Sequence, residues 1–229
     1  MDDLSDRIRE LAERLALDHF DGPPVDPTAL AERLGLVIEE SVTAPHWVLR
    51  SSGPVISLPA DLPPDRARFI LAHEVVEVQC ALAVPPLEIA RDEADRAERM
   101  FQAGASDLLM PREWFEAEGT ASGWDLAHLR ERFEVSWEAA ARRVPACTPA
   151  ACCIVDNGVV TTRLGSPQLS LPRRWDPLER EAVGAAYAAW PSPTPHEREG
   201  PHFRCVAWPA LPERNRIRRV CLLTYPSEW

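Results

Sequence analysis

Three ionisable side chains stand close together in an apolar stretch. They are His73, Glu74 and Glu77, within Arg68-Phe-Ile-Leu-Ala-His-Glu-Val-Val-Glu-Val-Gln-Cys80. On a helix, side chains four positions apart are neighbours, with Cβ atoms about 5–6 Å apart. His73 and Glu77 can therefore point at one cation. Glu74 is rotated by about 100° and can flank that ion rather than bind it. Imidazole nitrogen and carboxylate oxygen are both ordinary ligands of a divalent metal. The competing reading is a solvated helix face or a hydrogen-bonded pair. Five letters alone do not separate the two, so the elements around them must.

A third ligand is expected from the following helix, which the pattern places from Glu88 to Leu109, stopping at Met110-Pro111. Ala94, Glu98, Phe101, Ala105 and Leu108 fall on one stripe, apolar except for Glu98. A carboxylate in a core position needs a partner or a cation. The alternative partner for Glu98 is one of the 25 basic residues, all of them Arg. Asp92, Glu93 and Asp95 lie near the helix start, where negative charge is ordinary.

The other elements follow from periodicity and turn chemistry. Leu4, Ile8, Leu11 and Leu15 predict a helix from Asp3 to about His19. Asp26 as N-cap, Pro27 at N1 and Gly35 as C′ stop bound a second helix. Leu36-Val-Ile reads as a short strand, followed by a hairpin of residues 46–50 and 54–58 around Ser-Ser-Gly53. Asp65 is expected to cap the helix that holds His73. After Cys80, residues 81–86 read as a helix end and loop.

Residues 124–143 read as a helix-turn-helix in which Ser136 caps the second helix. That helix carries Trp137, Glu138 and three Ala where base-reading Arg, Asn or Gln is wanted, which argues for packing rather than direct DNA binding. From Pro145 the composition turns to strands and loops. A hairpin is expected around Asp156-Asn-Gly158, a helix over 180–189, a loop over 191–195, and strands over 204–208 and 219–225.

The totals exclude several classes. The net charge of −11 argues against a free-standing nucleic-acid binder. No apolar run approaches the ~20 residues that cross a bilayer, and the acidic N-terminus lacks a signal-peptide pattern. The expectation is a cytoplasmic protein with no membrane association and six reduced cysteines. Cys147, Cys152 and Cys153 lack zinc-finger spacing.

Taken together, these residues resemble the ImmA/IrrE family of metallopeptidases, in its IrrE-like branch. The resemblance rests on residues 25–35, on Pro63 to Glu74, on Glu98 to Pro111 with its Leu-Leu-Met-Pro ending, and on the helix-turn-helix position. The zinc-peptidase signature is His-Glu-x-x-His; here the second histidine is Glu77.

The resemblance implies an α+β fold. A mostly helical zincin-like peptidase domain with a small antiparallel sheet would occupy residues 1–120. A helix-turn-helix segment would follow at 121–146, then a small α+β, GAF-like domain at 147–229 for sensing or docking. It implies His73, Glu77 and Glu98 as metal ligands and Glu74 as general base. The implied cofactor is Zn²⁺, with Mn²⁺ or Fe²⁺ suited to a carboxylate-rich set. The implied function is cleavage of a cytoplasmic helix-turn-helix repressor, triggering a stress or DNA-damage response. The alternative is a weak or inactive pseudo-peptidase that binds a repressor or senses a ligand.

Overall fold

The computed structural model of the chain describes residues 3–83, 94–169, 175–210 and 217–227. The chain divides into two compact units, Met1–Ala117 with Glu131–Val135, and Glu118–Arg130 with Ser136–Trp229. Each is α+β. No helix among the described residues is long and apolar enough to cross a membrane.

The first unit opens with helix α1 (Asp3–His19), as the leucine spacing predicts. Helix α2 (Pro27–Arg33) starts where Asp26 Oδ1 accepts from the amides of Thr28 (2.9 Å) and Ala29 (3.3 Å). It ends at Leu34, and Gly35 follows at φ +70°, the left-handed region glycine enters without strain. Three strands come next: β1 (Val37–Ser41), β2 (His46–Arg50) and β3 (Gly53–Pro59). The expected small antiparallel sheet is a mixed one, in the order β1-β3-β2. β2 pairs antiparallel to β3 as a hairpin, but β1 runs parallel to β3, Val37 opposite Val55. The hairpin follows from its local turn, whereas β1 docks on the far edge of β3, a choice made by the sheet.

Helix α3 (Pro64–Ala83) carries the apolar stretch and packs on β3 and on helices α1 and α2. It begins two residues earlier than an Asp65 cap would place it, so Asp65 lies in its first turn and is not its cap. Arg68 anchors this end. Its Nη2 donates to the carbonyls of Val25 and Phe133, and Nη1 lies 3.3 Å from Glu134.

Helix α4 (Ala94–Leu109) packs against α1 and α3. The expected helix start at Glu88, the acids Asp92 and Glu93, and the loop after Ala83 lie outside the described residues. A Cβ at Gly104 would sit 2.9 Å from both Ile8 Cγ2 and Val76 Cγ1. The missing side chain thus lets α4 approach α1 and α3 together. Arg9 Nε reaches buried Asp107 at 2.5 Å and ties α4 to α1 again. Helix α5 (Arg112–Ser122) places Phe115 against Phe133, ring centroids 5.1 Å apart.

The second unit continues from α6 (Leu126–Phe133) to α7 (Trp137–Cys147), where Ser136 Oγ accepts from the Ala139 amide at 3.1 Å. Helix α7 runs through Pro145, where the composition suggested it had ended. Five strands follow around helix α8 (Pro177–Ala188): β4 (Ala151–Asp156), β5 (Val159–Gly165), β6 (His196–Glu199), β7 (Phe203–Ala210) and β8 (Arg219–Pro226). They form an antiparallel sheet in the order β5-β4-β8-β7-β6. Asn157 (φ 50°) and Gly158 (φ 83°) make the β4–β5 turn.

One face of this sheet (Cys153, Val155, Cys205, Val220, Leu222) packs on Ala182, Val183 and Ala186 of α8. The alternate residues Cys152, Ile154, Cys221 and Leu223 are buried on the other face, where α7 packs. Buried Glu179 of α8 accepts from Arg163 Nη2, Thr224 Oγ1 and the Asp176 amide, all within 3.1 Å, so its charge is compensated. All six cysteines are free thiols; five are buried and Cys147 is partly so.

Gly104→Val should lower stability by about 1–3 kcal/mol, because the new methyl groups meet Ile8 and Val76 on two elements at once. Urea unfolding of variant and wild type, with equal m-values, measures this.

Candidate metal centre

Helix α3 is apolar on nearly every side. Leu71, Ala72, Val75, Val76 and Val78 are all buried, and with them His73 and Glu74. The geometry of one helical turn brings His73 Nε2 to 3.8 Å from Glu77 Oε2. Helix α4 supplies Glu98, whose Oε2 lies 3.5 Å from the same nitrogen. Phe101, one turn further along α4, meets the imidazole edge-on at 6.1 Å and limits its rotation. His73, Glu74 and Glu77 each offer a ligand atom within 4.8 Å of the others.

The separations are longer than hydrogen bonds and close to those between ligands of one ion, and Glu98 approaches at His73 from outside the mutually close group of His73, Glu74 and Glu77. An N–H···O bond spans about 2.7–3.2 Å. Two ligands on one tetrahedral ion, with arms of about 2.1 Å, are instead about 3.4 Å apart. The observed 3.5 and 3.8 Å match the second spacing. The charges agree. Three carboxylates surround one imidazole, and among the described residues no arginine pairs with Glu74, Glu77 or Glu98. The donor set therefore fits a divalent cation.

Glu98 is not buried as its stripe suggested. Its side chain is 55% exposed, while Ala97 and Phe101 beside it are buried. It sits in the second turn of α4, at the rim of the core, and closes the cluster from the solvent side. The alternative of a salt bridge to arginine is absent among the described residues. Glu98 Oε1 accepts from Gln102 Nε2 at 2.8 Å.

Glu74 behaves differently from the other two acids. It is buried, and its Oε2 has no hydrogen-bond partner. Burial, then the neighbouring charges of Glu77 and Glu98, push its carboxyl from an ordinary 4.5 up to about 7; His46 pulls the other way. A carboxyl titrating near neutrality can both accept and return a proton.

Two residues of this neighbourhood were not singled out as site residues from the sequence. His46 opens β2, and its ring Nδ1 lies 2.9 Å from the Ala44 carbonyl. Only sheet pairing brings it near α3, so no spacing rule reveals it. Gln102 had a signal, the i,i+4 step from Glu98.

Residues 31–144 match the Peptidase_M78 family model, described as the IrrE N-terminal-like domain. The match supports the ImmA/IrrE family for this segment, and that family implies a divalent metal. A solved structure described as a Mycobacterium tuberculosis transcriptional regulator aligns over 96% of this chain and 76% of its own, with a TM-score of 0.66 and 15% identity. At that identity the likeness is one of fold. No curated protein sequence matches the chain.

The raised Glu74 carboxyl sets a pH dependence in chelator-treated protein. A carboxyl whose folded pKa lies above its unfolded value stabilises the protonated fold, and that stability is lost as pH rises. Stability of the metal-free chain should fall between about pH 4.5 and 7.5. Glu74→Gln should flatten that slope, as read by urea unfolding across the range. A slope equal to that of wild type would remove Glu74 as its source.

Proposed function

We propose that this chain, whose residues 31–144 match the IrrE N-terminal-like domain, is a metal-dependent endopeptidase of the ImmA/IrrE type. The observation that carries the reading is the convergence of Glu77 Oε2 and Glu98 Oε2 on His73 Nε2, at 3.8 and 3.5 Å, beside a buried carboxylate with an unpaired oxygen. His73, Glu77 and Glu98 would hold the ion, Zn²⁺ or, with two carboxylates, Mn²⁺ or Fe²⁺. When bound, such an ion supplies Lewis acidity toward a carbonyl oxygen and toward water.

Glu74 is the proton carrier in this reading. Its oxygen takes a proton from the attacking water and returns it to the leaving amine nitrogen. Phe101 holds the imidazole plane, and the apolar side chains of α3 exclude water from behind the site. Glu98 is more than half exposed, so the site borders solvent on that side.

The substrate class comes from the family resemblance: a helix-turn-helix repressor in the cytoplasm, whose cleavage switches on a stress or DNA-damage response. The second unit, with residues 147–229 as its main part, is assigned a sensing or docking role. It contains no comparable cluster among the described residues.

Glu77 favours a second reading. With histidine there, two neutral imidazoles and one carboxylate would leave a divalent ion with one net positive charge. With glutamate the centre is neutral and its water less acidic than the pKa of about 7 found at catalytic zinc. A regulator that retains the fold and holds a repressor without cutting it would tolerate that change.

Elemental analysis of purified protein tests the first reading. The expected result is one divalent ion per chain, lost in Glu98→Ala. Protein that stays metal-free after adding Zn²⁺ or Mn²⁺ overturns it. Glu74→Gln should keep the ion and lower hydrolysis of a cleavable repressor by at least about 100-fold. Cleavage at the wild-type rate would exclude Glu74 as the base.

A further inference from the structure

The third ligand has a partner of its own. Gln102 stands one turn after Glu98 on α4, and its Nε2 donates to Glu98 Oε1 at 2.8 Å. The other oxygen, Oε2, is left facing His73 Nε2 at 3.5 Å. A carboxylate can bind an ion through one oxygen or through both. An amide hydrogen bond on Oε1 occupies that oxygen and turns the carboxylate plane so that Oε2 leads.

Glu98 has particular need of this. It is more than half exposed, so no packing locks its rotamers. Long acidic side chains at the surface sample several rotamers, and fixing one is unfavourable in entropy. Glu77 is also a carboxylate and differs in this respect, being held by the helix turn it shares with His73. Chelation by both oxygens of Glu98 would fill a further coordination position. A hydrolytic site must keep one position open for water or substrate.

We infer that Gln102 is a positioning residue: its hydrogen bond to Glu98 Oε1 restricts Glu98 to a single donor atom, Oε2, and keeps one coordination position free. This rests on the metal-site reading above and adds to it a residue that touches neither ion nor substrate. Gln102 is solvent-exposed, so replacing it does not disturb the core.

The test uses Co²⁺, whose visible absorption reports coordination number, on the full-length chain. Wild type should bind one Co²⁺ with the intense visible bands of a low coordination number. Gln102→Ala should bind Co²⁺ about two-fold more weakly, the scale of an exposed i,i+4 hydrogen bond. In Gln102→Ala the visible bands should also weaken, as Glu98 chelates through both oxygens. Gln102→Lys keeps a donor at i+4 and should recover most of the loss.

The metal-free variants should unfold within about 2 °C of wild type, because an exposed i,i+4 pair contributes only tenths of a kcal/mol to a helix. Gln102→Ala with wild-type affinity and spectrum overturns this assignment alone. A wild type that takes up no Co²⁺ overturns the metal site and this assignment with it.

Discussion

The first unit is built around a charge imbalance in its core. Helix α3 buries an imidazole and a carboxylate among Leu71, Ala72, Val75, Val76 and Val78, where a full charge is strongly disfavoured. Elsewhere the chain meets such imbalances with arginine. Asp107 receives Arg9, and Glu179 receives Arg163. Around His73 stand two more carboxylates and, among the described residues, no arginine paired with them. The upward push on Glu74 is the mark of this arrangement. The close approach of α4 at Gly104, the Arg9–Asp107 pair and the Arg68 anchor all serve to hold the two helices where the side chains meet.

Within that frame, replacing histidine by Glu77 changes charge more than geometry. The Oε2 atom still lies one helical turn from His73 Nε2, at a spacing suited to a shared ion. What changes is the pull the ion exerts on water, which is weaker in a neutral centre.

The second unit has different chemistry. Burial raises the thiols of Cys152, Cys153, Cys205 and Cys221 and holds them protonated, Cys153 and Cys205 pushed up to about 11 and Cys152 to about 12. Thiols in that state are poor nucleophiles and poor metal ligands. The one buried acid there, Glu179, is fully engaged by Arg163, Thr224 and the start of its own helix. Among the described residues, this unit is a sheet packed between two helices.

Much was legible in the residues alone, wherever the cause is local. Helix α1, the Asp26-Pro27 start of α2, the Ser136 cap of α7 and the Asn157-Gly158 turn are encoded within a few residues, by periodicity, hydrogen-bonding caps and left-handed backbone. The pairing of His73 with Glu77 belongs with them, because 3.6 residues per turn determines it. Other features needed the folded chain. The parallel partner of β1, the continuation of α7 through Pro145, the exposure of Glu98 and the approach of His46 to Glu74 depend on residues far apart in sequence. Periodicity marks the face a side chain shares, but not how far along the helix the core extends, and so it placed Glu98 inside when it lies at the rim. Sequence by itself determined which side chains could form a metal centre. Tertiary packing decided that they meet, because the distance between two helices is set by what lies between them, here the absent side chain of Gly104.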